Sequence, residues 1–143
     1  MTMPICISAP GSIMLLGEHA VLHGRQALVC AINRRLRVHV TARADDGIEL
    51  QTDLGAATGT LSAPPERAEL AFLCAAVARY RGRLETGFRL VVTSEADTRQ
   101  GLGTSAAVVV AALAALETLV TGELPVPARL FDAALAVVQG VQG

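Results

Sequence analysis

The sequence predicts an α+β fold in which helices cover one face of a mostly antiparallel sheet. Short apolar or alternating segments dominate the first fifty residues, and this pattern is typical of strands. A helix, a further strand and two more helices follow, and such segregation of strands and helices favours the α+β class. Hydrophobic residues make up 52% of the 143 residues, so residues 1–143 are predicted to form one domain with its own core.

The candidate strands begin close to the N-terminus. Two short apolar runs, at 5–9 and 13–16, each end at turn residues, Pro10-Gly11 and Gly17. A third candidate strand covers residues 27–32.

A hairpin is predicted next. Apolar and polar residues alternate over 36–41, and the pattern resumes over 48–52 after the turn Asp45-Asp46-Gly47. Residues 52–65 are rich in Gly, Ala, Thr and Pro, so a loop is predicted there.

A first helix is predicted from Pro64-Pro65-Glu66 up to Gly82, because proline and an acidic residue favour the first helical turn. Residues 88–92 alternate again and predict a strand, which a polar loop over 96–103 follows.

Two helices end the chain. The first is predicted over 104–120 and closed by Gly122, and Pro125 and Pro127 open the second. The apolar stretch 106–116 is about half the length that a bilayer requires, so it is interpreted as a buried helix.

Composition excludes several kinds of partner and site. The 12 basic and 13 acidic residues give a net charge of −1, so neither nucleic acid nor a membrane is expected as a partner. No signal peptide is recognisable, and a soluble, cytoplasmic protein is expected. The three cysteines are widely separated and are expected to be small buried hydrophobes. All basic residues are Arg, so the chain supplies no ammonium side chain.

The segment Gly101-Leu102-Gly103-Thr104-Ser105-Ala106 is the strongest candidate site. Its glycines allow close approach to a ligand, and the helix that follows presents free N–H groups and a positive dipole end, which together bind anions such as phosphate. The hydroxyls of Thr104 and Ser105 suit a phosphate oxygen, a phosphate-held magnesium ion or the helix cap. A glycine-rich turn with an ordinary Thr or Ser cap fits the same pattern.

A second motif narrows the interpretation. Residues 9–24 read APGSIMLLGEHAVLHG, which resembles the first motif of the GHMP kinases and is closest to that of the mevalonate kinases, PGKxILxGEHxVxxG. Residues 101–107, GLGTSAA, resemble the second motif of the same family, GLGSSAA. The two motifs lie in the expected order, about 80 residues apart, and the resemblance covers nearly the whole chain.

The resemblance implies a fold, an activity and a set of site residues. The fold is that of the GHMP kinase N-terminal domain, shared with the second domain of ribosomal protein S5. The activity is transfer of the ATP γ-phosphoryl group to a small molecule, with mevalonate and isoprenoid precursor synthesis favoured. The second motif would bind the ATP phosphates, with Ser105 as a ligand of Mg²⁺. Ser12, Glu18 and His19 would lie at the substrate pocket. A homodimer is left open.

Three departures from the family pattern bear on these roles. Ser12 stands where mevalonate kinases carry Lys and galactokinases carry Arg. The family's Pro and first Gly before the second motif are Asp97 and Arg99 here, and a guanidinium at Arg99 could help to hold phosphate. The alternative is that Asp97 and Arg99 are both ordinary solvated charges of a loop.

The third departure concerns the catalytic base. In mevalonate kinases a stretch like Val141-Gln142-Gly143 precedes the Asp regarded as the base, which would lie beyond Gly143. Val138 stands where an acidic Mg²⁺ ligand is usual. No catalytic residue is therefore assigned within the chain, which is expected to be inactive alone and to be a fragment or split gene product that needs a C-terminal domain or partner chain.

Three alternatives remain. The chain could be a non-catalytic nucleotide- or protein-binding member of the fold, a sugar or phosphomevalonate kinase of the superfamily, or a structural domain without a ligand.

Overall fold

A computed structural model describes residues 3–143, except for the side chain of Thr98, and contains one five-stranded sheet with three α-helices. The strands are β1 (Ile5–Leu16), β2 (Leu28–Ala42), β3 (Gly47–Thr52), β4 (Gly55–Thr60) and β5 (Phe88–Ser94). The helices are α1 (Ala71–Ala78), α2 (Thr104–Thr121) and α3 (Pro127–Gln142).

The sheet has the order β1-β2-β5-β3-β4, and every neighbouring pair is antiparallel except β3 with β5. One face carries the apolar members of the alternating strands, such as Val38, Leu50 and Leu90, which are buried against the helices. Helix α2 packs against β1 and β2, while α1 and α3 pack against α2. This arrangement confirms the predicted α+β class.

The strands at the N-terminus are longer than predicted. The two runs around Pro10-Gly11 form the single strand β1, and the runs over 27–32 and 36–41 form the single strand β2. Pro10 is tolerated because β1 lies at the edge of the sheet, where a missing N–H leaves no central hydrogen bond unmade.

The predicted hairpin between residues 36–41 and 48–52 is wrong. Strand β5 lies between β2 and β3 and pairs with both. The actual hairpin joins β3 to β4, and β4 lies within the segment predicted as a loop. The first helix also begins later than predicted, with a 3₁₀ turn at Ala68–Leu70 ahead of α1.

Helix α2 is the core helix of the domain. Its 18 residues are long and apolar enough to cross a membrane, the one such case among the described residues. Residues 111–116 are nevertheless buried inside the domain, and core burial accounts for the same composition. Gly122, in the left-handed conformation, ends the helix as predicted.

The expectation that all three cysteines are buried is wrong for two of them. Cys74 is buried in α1, whereas Cys6 and Cys30 lie exposed on β1 and β2. All three are free thiols.

Candidate functional site

The two sequence motifs lie against each other in the fold. The backbone N–H of Ser12 donates a hydrogen bond of 2.9 Å to the carbonyl of Leu102. Gly11 is buried at the same point, where a Cβ would lie 2.7 Å from the Leu102 oxygen. The free edge of β1 therefore anchors the Gly-rich loop, and the fold brings together Ser12 and residues 101–106.

Gly103 is required at the contact with Ser12. Its φ of 67° is in the left-handed region, and a Cβ on it would overlap the Ser12 hydroxyl oxygen. The loop can therefore approach β1 closely only because this position lacks a side chain.

Helix α2 begins directly after this glycine. Gly103 is its N-cap, so no side chain caps the helix, and the first intrahelical bond runs from the Ala107 N–H to the Gly103 carbonyl at 3.1 Å. Ser105 and Ala106 are exposed and Thr104 is half-buried. The uncapped N–H groups and the helix dipole make this end a site for an anion.

The side chain of Arg99 folds back onto its own loop, where it pairs with Asp97. Asp97 accepts a hydrogen bond from the Arg99 N–H at 2.9 Å, and an ion pair joins the Arg99 Nε to Asp97 Oδ1 at 3.2 Å. The backbone hydrogen bond, with help from the guanidinium, lowers the pKa of Asp97. The Arg99 side chain is 87% exposed, so it can reach a ligand only by leaving this pair.

Glu18 and His19 are not brought to the loop. They lie in the turn after β1, ahead of a short 3₁₀ helix at Ala20–His23, and both are exposed. The strand between Ser12 and Leu16 spans about 13 Å, at about 3.3 Å per residue. Their predicted place at a substrate pocket therefore stays a prediction.

A cavity of about 260 Å³ opens beside the N-terminus of α2. Thr104, Ser105 and Val108 form one wall, the β3–β4 turn over 52–54 forms another, and residues 68–73 close the third. The lining is mainly apolar, and such a cavity next to an anion site suits a ligand with an apolar ring and a charged tail. Sequence reasoning missed this cavity because it did not predict β4 or the turn before it.

Acidic groups near the loop are already engaged. Glu95, at the end of β5, accepts hydrogen bonds from the Arg35 N–H at 3.0 Å and from Arg37 Nη1 at 2.6 Å. These two contacts, in that order, lower the pKa of Glu95. Within residues 3–143, no three His, Cys, Asp or Glu side chains converge to hold a metal ion.

The ends of β1 and β2 extend beyond β5 as a two-stranded arm, residues 11–16 and 28–32. We call it the apolar arm, because Leu16, Leu28 and Val29 are each more than half exposed. Glu18 and His19, which are predicted to lie at a substrate pocket, come just after the tip of this arm and therefore follow exposed apolar side chains.

Two segments of the chain match known protein families. The GHMP kinases N-terminal domain family matches residues 68–143, and a galactokinase galactose-binding signature matches residues 2–42. Mevalonate kinase of Archaeoglobus fulgidus is 40% identical over 138 residues, which cover 95% of this chain and 45% of that protein. Mevalonate kinase of Thermococcus gammatolerans is 32% identical, with 85% and 41% covered. The chain thus spans less than half the length of these curated relatives.

Solved structures share the fold. The Methanococcus jannaschii mevalonate kinase superposes with a TM-score of 0.85 at 22% identity, covering 97% of this chain and 47% of that one. The Lactococcus lactis galactokinase complexed with galactose gives 0.76 at 17% identity, covering 96% and 38%.

Proposed function

Because the chain belongs to the GHMP kinases, we propose that it is the N-terminal, ATP-binding part of a kinase that phosphorylates mevalonate. The observation that carries the proposal is the hydrogen bond from Ser12 to Leu102, which fixes an uncapped helix N-terminus beside an apolar cavity. The mevalonate kinases among its relatives support the substrate. Their kinship also supports a cytoplasmic location.

Each part of ATP has a complementary surface. The cavity of about 260 Å³ accepts the apolar base, and the N–H groups of residues 104–106 face the phosphates. The glycines at 101 and 103 leave the backbone open to phosphate oxygens. Preorganised donors of this kind stabilise charge that develops during phosphoryl transfer.

Magnesium fits the site only together with ATP. The exposed hydroxyl of Ser105 offers one oxygen ligand, and Mg²⁺ commonly takes its others from phosphates and water. Val138 is half-buried against the core, and its hydrocarbon side chain has no oxygen that could bind the ion. When bound, the ion would neutralise charge on the phosphates.

The substrate pocket is assigned to Ser12, Glu18 and His19 beside the apolar arm. A carboxylate and an imidazole among apolar side chains suit a small molecule with both hydroxyl and aliphatic groups. A sugar is the second candidate, since a galactokinase galactose-binding signature matches residues 2–42.

The catalytic base is assigned to sequence outside residues 1–143. Glu95 and Asp97, the carboxylates flanking the loop, are held by Arg37 and Arg99. Relatives are more than twice as long, so their remaining length can supply both a base and the other wall of the cleft. This chain alone is then expected to bind ATP without turning it over.

A chimera tests the function directly. Residues 1–143 are joined to the corresponding C-terminal part of the Archaeoglobus fulgidus enzyme, and ADP release is measured with mevalonate, phosphomevalonate and galactose. We expect turnover with mevalonate, none by the chain alone, and at least about a tenfold loss in the chimera carrying Ser105→Ala. A folded chimera that phosphorylates only galactose would establish the second candidate, and turnover by the chain alone would refute the assignment of the base.

A further inference from the structure

A bulge in β2 lies beside the phosphate loop. Pro10 pairs with Arg35 and Gly11 with Ile32, so Asn33 and Arg34 are two extra residues opposite a single step of β1. Bulges redirect side chains and are common next to active sites. Because of the bulge, Arg34 has no partner residue on β1, and its position differs from the one it would have in a regular strand.

The loop is fixed on both sides of this bulge. At the start of the phosphate loop, the Glu95 N–H donates a hydrogen bond of 3.0 Å to the Arg35 carbonyl. Near the end of the loop, the Leu102 carbonyl accepts a hydrogen bond from the Ser12 N–H. A Cβ on Gly11 would lie 3.3 Å from the Arg34 carbonyl and 2.7 Å from that of Leu102. The main chain of Arg34 and the phosphate loop therefore border the same point of β1.

Neighbouring arginines already have partners, whereas Arg34 is exposed and has no hydrogen bond or ion pair to any group described between residues 3 and 143. The engaged pairs are Arg35 with Ser8, Arg37 with Glu95 and Arg99 with Asp97. The pKa of Glu95, at the start of the loop, is lowered mainly by hydrogen bonds from the Arg35 N–H and the Arg37 side chain. The charges of Arg37 and Arg34 make smaller contributions, so the charge of Arg34 also acts on the start of the loop.

We propose that Arg34 is the cation that binds the terminal phosphates of ATP, in place of the basic residue that Ser12 replaces. The inference rests on the proposed function. A guanidinium binds phosphate through two parallel hydrogen bonds and is always charged. Arg34 needs no ion pair broken before it binds, whereas Arg99 must first leave Asp97.

Calorimetric titration of the purified chain with ATP and with AMP, both with Mg²⁺, tests the proposal. The variants are Arg34→Gln, the charge-conserving Arg34→Lys, and Arg99→Gln, which tests the competing arginine on the loop. We expect Arg34→Gln to weaken ATP binding about tenfold and AMP binding less than about twofold, because only ATP carries terminal phosphates. Arg34→Lys keeps the positive charge but loses the guanidinium fork, so it should restore only part of the loss, and Arg99→Gln should bind ATP within about twofold of the wild type.

The outcomes separate the two proposals. Normal ATP binding by Arg34→Gln, an equal loss for ATP and AMP, or a loss confined to Arg99→Gln would overturn the role of Arg34 and leave the proposed function intact. A wild-type chain that binds neither nucleotide would overturn both. Thermal melts of each variant show whether a loss of binding is merely a loss of folding, and Arg34→Lys provides a second variant if Arg34→Gln unfolds.

Discussion

The backbone N–H of Ser12 donates to the carbonyl of Leu102, and this 2.9 Å hydrogen bond joins two motifs that lie far apart in the chain. It fixes the N-terminus of α2 to the edge of the sheet through one close backbone contact. Gly103 makes the contact possible, since any larger residue would displace Ser12 or the loop.

Two glycines of the loop should therefore respond differently to alanine. Gly101 and Gly103 have nearly the same φ, 66° and 67°, but a Cβ at Gly101 meets nothing within 4 Å. Gly101→Ala should cost about 1 kcal/mol of unfolding free energy from backbone strain alone. Gly103→Ala should cost about 1–3 kcal/mol more, because of the overlap with Ser12. Urea unfolding of both variants measures the difference.

A double variant identifies the source of that extra cost. Ser12→Ala removes the overlapping hydroxyl, so Ser12→Ala/Gly103→Ala should recover most of the difference between the two glycine variants. If the two substitutions are simply additive, the contact between Ser12 and Gly103 is not what constrains the loop.

Tyr80, two residues after the end of α1, joins the turn that follows this helix to α2. Its hydroxyl shares its one proton between the Leu113 carbonyl at 3.1 Å and Glu117 Oε2 at 2.9 Å, and burial raises its pKa. Tyr80→Phe should lower the unfolding free energy by about 1 kcal/mol, the usual net value of such a hydrogen bond. Unchanged stability in urea unfolding would show that the hydroxyl contributes nothing to the packing of these helices.

Glu117 should make stability depend on pH. The fork of Arg83, followed by the Tyr80 hydroxyl, lowers the pKa of this carboxyl below its ordinary value. A lowered folded-state pKa gives stability that is present above the unfolded value, about 4.3, and is lost as pH falls through the folded one.

The difference in unfolding free energy between wild type and Glu117→Gln should accordingly shrink as the pH falls below the unfolded-state pKa of about 4.3 and through the lowered folded-state pKa. Glu85→Gln is the control, since Glu85 is exposed and has no ion pair among the residues that the structure describes. A difference that stays constant with pH for Glu117→Gln would contradict the assigned ion pair with Arg83.

The three thiols should differ in reactivity. Cys6 and Cys30 are exposed, whereas Cys74 is buried and burial raises its pKa, which disfavours the reactive thiolate. Titration of the native chain with a thiol-specific disulfide reagent should label two residues quickly and the third only after denaturation. Equal rates for all three would place Cys74 at the surface.

Local pattern predicted α2, α3 and β5 well, because their periodicity and their closing or opening residues lie within each segment. The pairing of the strands could not be predicted in this way. Inserting β5 between β2 and β3 depends on contacts between distant segments, and the small residues of β4 carry little strand preference.

The candidate site divides in the same manner. The loop over 101–106 was recognisable because glycine, hydroxyl and helix start are adjacent in sequence. The cavity beside it and the bulge at Arg34 were not, since each is assembled from segments that meet only in the fold. The Asp97–Arg99 pair shows that a loop charge identified by position can be directed at its own neighbour.

The most direct test of the account is a nuclear magnetic resonance titration of the isotope-labelled chain with ATP and with adenosine, following each backbone amide. We expect the amides of residues 102–106 to shift saturably with ATP and far less with adenosine, because the N-terminus of α2 binds the phosphates. Saturable ATP binding that leaves these amides unmoved would contradict the claim that this loop holds the nucleotide.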